Sequence, residues 1–330
     1  MNVFKHNLKG IVCCIMLMQL FVTTAVAQRP VKDAHTVYFA DPCIFHLNGV
    51  YYLYGTTDEN ANSGFIVYTS TDLINWKRSA AQEGYALKKG EAFGQSGFWA
   101  PHIFQQRDTF YMAYVADEQI AIAKATSPAG PFTQKTIKQL DAPVKQIDPF
   151  VFTDDDGKKY LYHVRLTNGN RIFVAEMEDD LSAIKPATVK ECINATEQWE
   201  NTANAPWPVT EGPTVLKHNG LYYMFYTAND FRNPDYAVGF ATATSPYGPW
   251  KKYNGGPLIS RSLLGINGTG HGDFFTDAQN NLLYVFHTHF SDSSTGPRKT
   301  AIIKFSFVKD EQLGIDKPVA DKESFYFLKK

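Results

Sequence analysis

Short apolar stretches alternate with polar turns along almost the whole chain, and the same internal order returns five times. In each unit an anchor residue opens an apolar strand, a tight polar turn follows, and an aromatic-rich strand runs back. The first unit reads Asp41-Pro42-Cys43-Ile44-Phe45, Asn48-Gly49, Val50-Tyr51-Tyr52-Leu53-Tyr54. The third reads Asp148-Pro149-Phe150-Val151-Phe152, Asp156-Gly157, Tyr160-Leu161-Tyr162. The fourth pairs Gly212-Pro213-Thr214-Val215-Leu216 with Leu221-Tyr222-Tyr223-Met224-Phe225-Tyr226 across Asn219-Gly220. The second and fifth are built on Pro101 and Gly272. Asn-Gly and Asp-Gly between alternating apolar runs are hairpin signals. A third strand follows in most units, with examples at 65–68, 120–123, 172–175, 237–241 and 301–305.

The anchors Pro42, Pro101, Pro149, Pro213 and Gly272 lie 59, 48, 64 and 59 residues apart. Five such units of three or four strands, closed in a ring, predict an all-β fold, a five-bladed β-propeller. A sandwich or mixed barrel would not repeat one hairpin grammar five times. Aromatic residues make up 14% of the chain, which agrees with strands rather than helices.

The start of the chain breaks the pattern. Lys5 and Lys9 precede the apolar run Ile11 to Val22, and Ala25-Val26-Ala27 closes it. Residues 1–27 are read as a signal peptide cut after Ala27, and residues 28–330 as a single propeller domain, secreted or periplasmic. Removing Lys5 and Lys9 from 32 basic residues against 33 acidic ones leaves a formal charge of −3. No basic stripe points to nucleic acid and no further segment to a membrane. Cys43 and Cys192 remain after cleavage, and the sequence leaves open whether they pair.

Three carboxylates stand at strand starts: Asp41, Asp148 and Glu211. They are read as occupying one repeat position, so the ring should bring them together at its axis. Like charges in one pocket hold their protons at different pH values, so one group can serve as acid while another serves as base. An inverting glycosidase needs that pair roughly 6.5–9.5 Å apart, with room for water.

The ordered set Ala40-Asp41-Pro42, Trp99-Ala100-Pro101, Ile147-Asp148-Pro149, Glu211-Gly212-Pro213 and Gly270-His271-Gly272 resembles glycoside hydrolase family 43. That family comprises five-bladed propeller enzymes and includes α-L-arabinofuranosidases and β-xylosidases. The resemblance spans nearly the whole chain after residue 27. It implies an inverting glycoside hydrolase with Asp41 as general base, Glu211 as general acid and Asp148 as modulator and positioner of Glu211. It also implies that Arg298 reaches the sugar and that His271 organises the channel centre, sometimes beside calcium or clustered water. Trp99 is expected to wall the pocket or stack on a sugar. His102 stands where many relatives carry Asp, and is expected at the rim. A carbohydrate is the expected partner. No cofactor is required, although a structural calcium is allowed. The expected activity is removal of terminal α-L-arabinofuranosyl or β-D-xylosyl residues from plant polysaccharide or its oligosaccharides. An exo-galactosidase and a non-catalytic carbohydrate-binding propeller are the alternatives. His287-Thr288-His289 puts two imidazoles on one strand face but lacks further metal ligands.

Overall fold

In the computed structural model, which describes residues 32–330, the five hairpins form five consecutive antiparallel blades. The innermost strands are Ala40–Leu47, Trp99–Gln106, Gln146–Thr153, Thr210–His218 and Gly270–Thr276. They pack against one another around a central axis, the first touching the fifth. Each pairs with an aromatic-rich second strand: Val50–Thr56, Thr109–Ala116, Lys159–Leu166, Leu221–Ala228 and Leu282–Thr288. The proposed signal peptide lies outside the described residues. Residues 33–330 form one compact unit.

The third and outer strands vary more. Residues 65–68 do not make one strand. Gly64–Ile66 pairs with Tyr85–Lys88 in a separate two-stranded sheet, and Tyr68–Ser70 continues the blade. The second blade has three strands; the other four have a fourth.

The repeat buries its apolar surface between blades. Five clusters fill the five seams. Tyr54 and Phe65 meet Met112 and Tyr114 in one, and Leu53 meets Val285 and Ile302 in another. Leu161 with Ile120, Tyr162 with Met224, and Phe225 with Phe286 fill the other three. A blade is a twisted sheet with two apolar faces, so a neighbour on each side is needed to cover it.

The C-terminal residues seal the last seam. Leu328 N–H donates to the Thr300 carbonyl, and its own carbonyl accepts from Val37 N–H. Lys329 then accepts from Trp76 N–H in the first blade. Cys43 is buried in the first seam and Cys192 sits on an outer strand of the third blade; both are free thiols.

Candidate active site

Every innermost strand opens with a bulge beside a residue in the left-handed region. The five residues are Asp41 (φ 49°), Ala100 (φ 44°), Asp148 (φ 54°), Gly212 (φ 57°) and His271 (φ 42°). Strain of this kind persists where surrounding structure holds it, and bulges re-aim side chains beside active sites. These five residues form the axial ring.

The ring corrects one sequence expectation. Asp41 and Asp148 are ring residues, but the fourth-blade equivalent is Gly212, and Glu211 lies one position earlier. Glu211 therefore shares its register with Trp99 and Ile147, and all three line one cleft of about 480 Å³ above the ring. The repeat grammar carried the offset: Glu-Gly-Pro stands where the other blades have Asp-Pro. Gly212 is required because a Cβ there would lie 2.8 Å from the His271 ring.

The second strands complete the ring. Thr56, Thr227 and His287 stand at their ends, opposite Ala40, Glu211 and Gly270. Thr56 Oγ1 accepts from Ala100 N–H (3.0 Å), Thr227 Oγ1 from His271 N–H (2.8 Å), and His287 Nδ1 from Asp41 N–H (3.1 Å). In each case a side chain of one blade satisfies the strained ring amide of the next. Buried amides are costly to leave unpaired, which accounts for polar residues ending such apolar strands.

Asp41 is buried, which favours its protonated form, but Arg298, His271, His287 and Thr56 more than offset that. Its carboxyl is held well below the usual carboxylate range. Arg298 Nη1 donates to Oδ1 (3.1 Å) and Thr56 Oγ1 donates to Oδ2 (2.7 Å). Arg298 is itself clamped by Asp58, through Nη2 (2.8 Å), Nε and its backbone N–H. Burial opposes the charge on Arg298, but Asp41 and Asp58 outweigh it and raise its pKa.

Glu211 has the opposite environment. Burial pushes its pKa up to about 7, with the charges of Asp41 and Asp230 acting in the same direction. Tyr236 Oη donates to Oε1 (2.8 Å) and Asn170 Nδ2 to Oε2 (2.9 Å), which limits the rise. Asp148 is also raised, by burial and by the charges of Glu211 and Asp41, while Gly212 N–H donates to its Oδ2 (3.1 Å). Asp148 and Glu211 thus form a coupled pair, each resisting ionisation of the other. The arrangement places an ionised base and a proton-holding acid in one cleft.

His271 stands on the ring, with Nδ1 3.3 Å from Asp41 Oδ1 and 3.8 Å from Asp148 Oδ2. Burial and the charge of Arg298 lower its pKa, while Asp41 acts in the opposite direction. Trp99 and Arg298 line the cleft. His102 does not. It is buried in the narrow channel on the other side of the ring, packed on Phe150 at 4.3 Å, and burial drops its pKa to about 3. His102 lies three residues after Trp99, past the bulge, and its strand has by then carried it down the axis.

One group of donors among the described residues, Asp148, Glu211 and His271, lies close enough to hold a metal ion, with ligand atoms within 4.8 Å of one another. Calcium takes about six to eight oxygens. One donor here is a nitrogen, and both Glu211 oxygens already accept hydrogen bonds. The protein donors alone do not make a calcium cage.

Sequence reasoning missed Asp58, Asn170, Trp207 and Tyr236, and set His287 aside as a failed metal ligand. Thr56 and His287 carried a signal, since polar residues ending aromatic strands are out of pattern. The other four lie outside the innermost strands, and no repeat position marks them.

A family model for Glycosyl hydrolases family 43 matches residues 28–313. A crystal structure of an endo-1,4-β-xylanase from Bacteroides thetaiotaomicron superposes with a TM-score of 0.80 at 39% identity, covering 89% of this chain and 97% of that one. A β-D-galactofuranosidase of Aspergillus niger is 25% identical, over 87% of this chain and 85% of its own length. An arabinoxylan arabinofuranohydrolase of Bacillus subtilis is 26% identical over 67% of this chain, which spans only half of that longer protein.

Proposed function

The chain belongs to Glycosyl hydrolases family 43 and is a glycoside hydrolase, and on that premise we propose an inverting exo-glycosidase acting on terminal α-L-arabinofuranosyl or β-D-xylosyl residues. The observation that carries this reading is the divergence of two carboxyl groups in one cleft: Asp41 held ionised, Glu211 held near 7. Asp41 takes a proton from the attacking water. Glu211 protonates the leaving oxygen. Asp148 disfavours loss of the Glu211 proton and, through Gly212 N–H, is tied to the segment that carries it. On the Asp41 side, the buried Arg298, held by Asp58, bounds the cleft, which supports a pocket for a terminal sugar rather than an open-ended groove. The galactofuranosidase relative keeps a galactofuranosyl substrate as the second reading. The leader-like start of the sequence supports export from the cell.

The test is hydrolysis of a panel of 4-nitrophenyl glycosides: α-L-arabinofuranoside, β-D-xyloside and β-D-galactofuranoside, with wild type and Glu211→Ala. Wild type is expected to release nitrophenol from one of the first two. Glu211→Ala is expected to lose about 10²–10⁴-fold on natural glycosides and much less on these activated ones, which need little protonation. Equal losses on both substrate types would remove Glu211 as the acid.

A further inference from the structure

The cleft does not end at Glu211. A second hollow of about 440 Å³ adjoins it, and Trp207, Val209, Asp230 and Arg232 line both. Six large apolar side chains are exposed among the described residues, and only two are aromatic: Trp207 at 48% and Phe231 at 37%. Both line the catalytic cleft. A tryptophan left half in water at a cleft mouth presents a flat apolar face with a polar edge, which suits a sugar ring.

The polar edge of this indole is engaged. Trp207 Nε1–H donates to Asn170 Oδ1 (2.9 Å), and Asn170 Nδ2–H donates to Glu211 Oε2 (2.9 Å). An indole N–H can only donate, so it turns the amide oxygen of Asn170 toward Trp207 and the NH₂ toward Glu211. The backbone of Asn170 is held too, its N–H donating to the Pro208 carbonyl and its carbonyl accepting from Thr210 Oγ1. Trp207 therefore lies two hydrogen bonds from the general acid, and the general acid acts on the leaving oxygen. The leaving group must lie on this side of the cleft.

We propose that Trp207 and the adjoining hollow form the binding site for the first sugar of the leaving group, and that its occupancy positions Glu211 through Asn170. This deepens the glycosidase reading and rests on it. The ligand is a neutral sugar ring of an oligosaccharide. Arg232, the cation of the hollow, is held by Asp230 through two short hydrogen bonds (2.7 and 2.6 Å), so the lining offers no unpaired charge for a uronic acid. Binding energy from this remote ring is then available at the reacting centre, and its loss lowers kcat as well as raising KM.

The experiment compares wild type, Trp207→Ala and Trp207→Phe on two substrates of the preferred sugar. One is an oligosaccharide; the other is the glycosyl fluoride, whose leaving group has no ring to bind. For Trp207→Ala, the fall in kcat/KM is expected to be at least about tenfold larger on the oligosaccharide than on the fluoride. Trp207→Phe keeps a ring but has no N–H, so it is expected to restore KM on the oligosaccharide and leave kcat low. Equal losses of Trp207→Ala on the two substrates would overturn the binding site. Full recovery of kcat in Trp207→Phe would overturn the coupling through Asn170. A wild type that turns over neither substrate would overturn the glycosidase reading beneath both.

Discussion

Glu211 and Asp41 are both buried carboxylates, yet one keeps its proton near neutral pH and the other does not. The difference comes from their neighbours. Asp41 has Arg298 at 3.1 Å, whereas Glu211 has two neutral donors and the negative charges of Asp41 and Asp230. The proposed mechanism requires Asp41 ionised and Glu211 protonated, so in it the alkaline limb of the kcat/KM profile reports the loss of the Glu211 proton. Two substitutions should move that limb in opposite directions. Tyr236→Phe removes a hydrogen bond that favours the ionised acid; the pKa of Glu211 rises and the limb moves to higher pH. Asp148→Asn leaves Glu211 without the second carboxyl; two mutually repelling carboxyls hold their last proton to higher pH than one alone, so the limb moves to lower pH. The measurement is a pH profile of each variant, and shifts of the same sign in both would contradict the pairing.

At the scale of the strand, the site depends on a device repeated around the ring: a bulge, a left-handed residue, and a polar side chain from the preceding blade on its amide. Thr227→Val tests the device without changing side-chain size. It leaves the buried His271 N–H without its acceptor, at a cost of about 1–3 kcal/mol. The expected outcome is a lower melting temperature, together with a loss of activity larger than that stability loss explains, since His271 touches Asp41. An unchanged melting temperature would show that the amide finds another partner. The hairpins themselves were legible in the sequence because their turns and period-two runs are local. The bulge was not, because alternation alone predicts an unbroken strand, and an unbroken strand would put Glu211 in the place of Gly212.

For the whole molecule, stability comes from five seams, and the fifth is closed by the chain's last residues. Removing 328–330 deletes the fully buried Leu328 and the backbone bonds that join Val37, Trp76 and Thr300 to the tail. Burial of such a leucine contributes about 1.5–3 kcal/mol before the lost hydrogen bonds are counted. The truncated protein should unfold at a lower urea concentration, and an equal midpoint would mean that the ring closes without its tail.

The sequence by itself determined the blade count, the all-β class, the identity of the three catalytic carboxyl candidates and the family, because each is written in local repeats that hold their meaning before the chain folds. The tertiary structure alone decided what surrounds those carboxyls. Asp58 and Arg298 are 240 positions apart and Asn170 and Glu211 are 41 apart, yet each pair meets in one cleft. Ring closure brings such distant residues within hydrogen-bonding distance, and the charge and burial created there set which carboxyl keeps its proton. His102 shows the same limit from the other side: its motif placed it at the rim, and a bulge in its strand carried it into the channel.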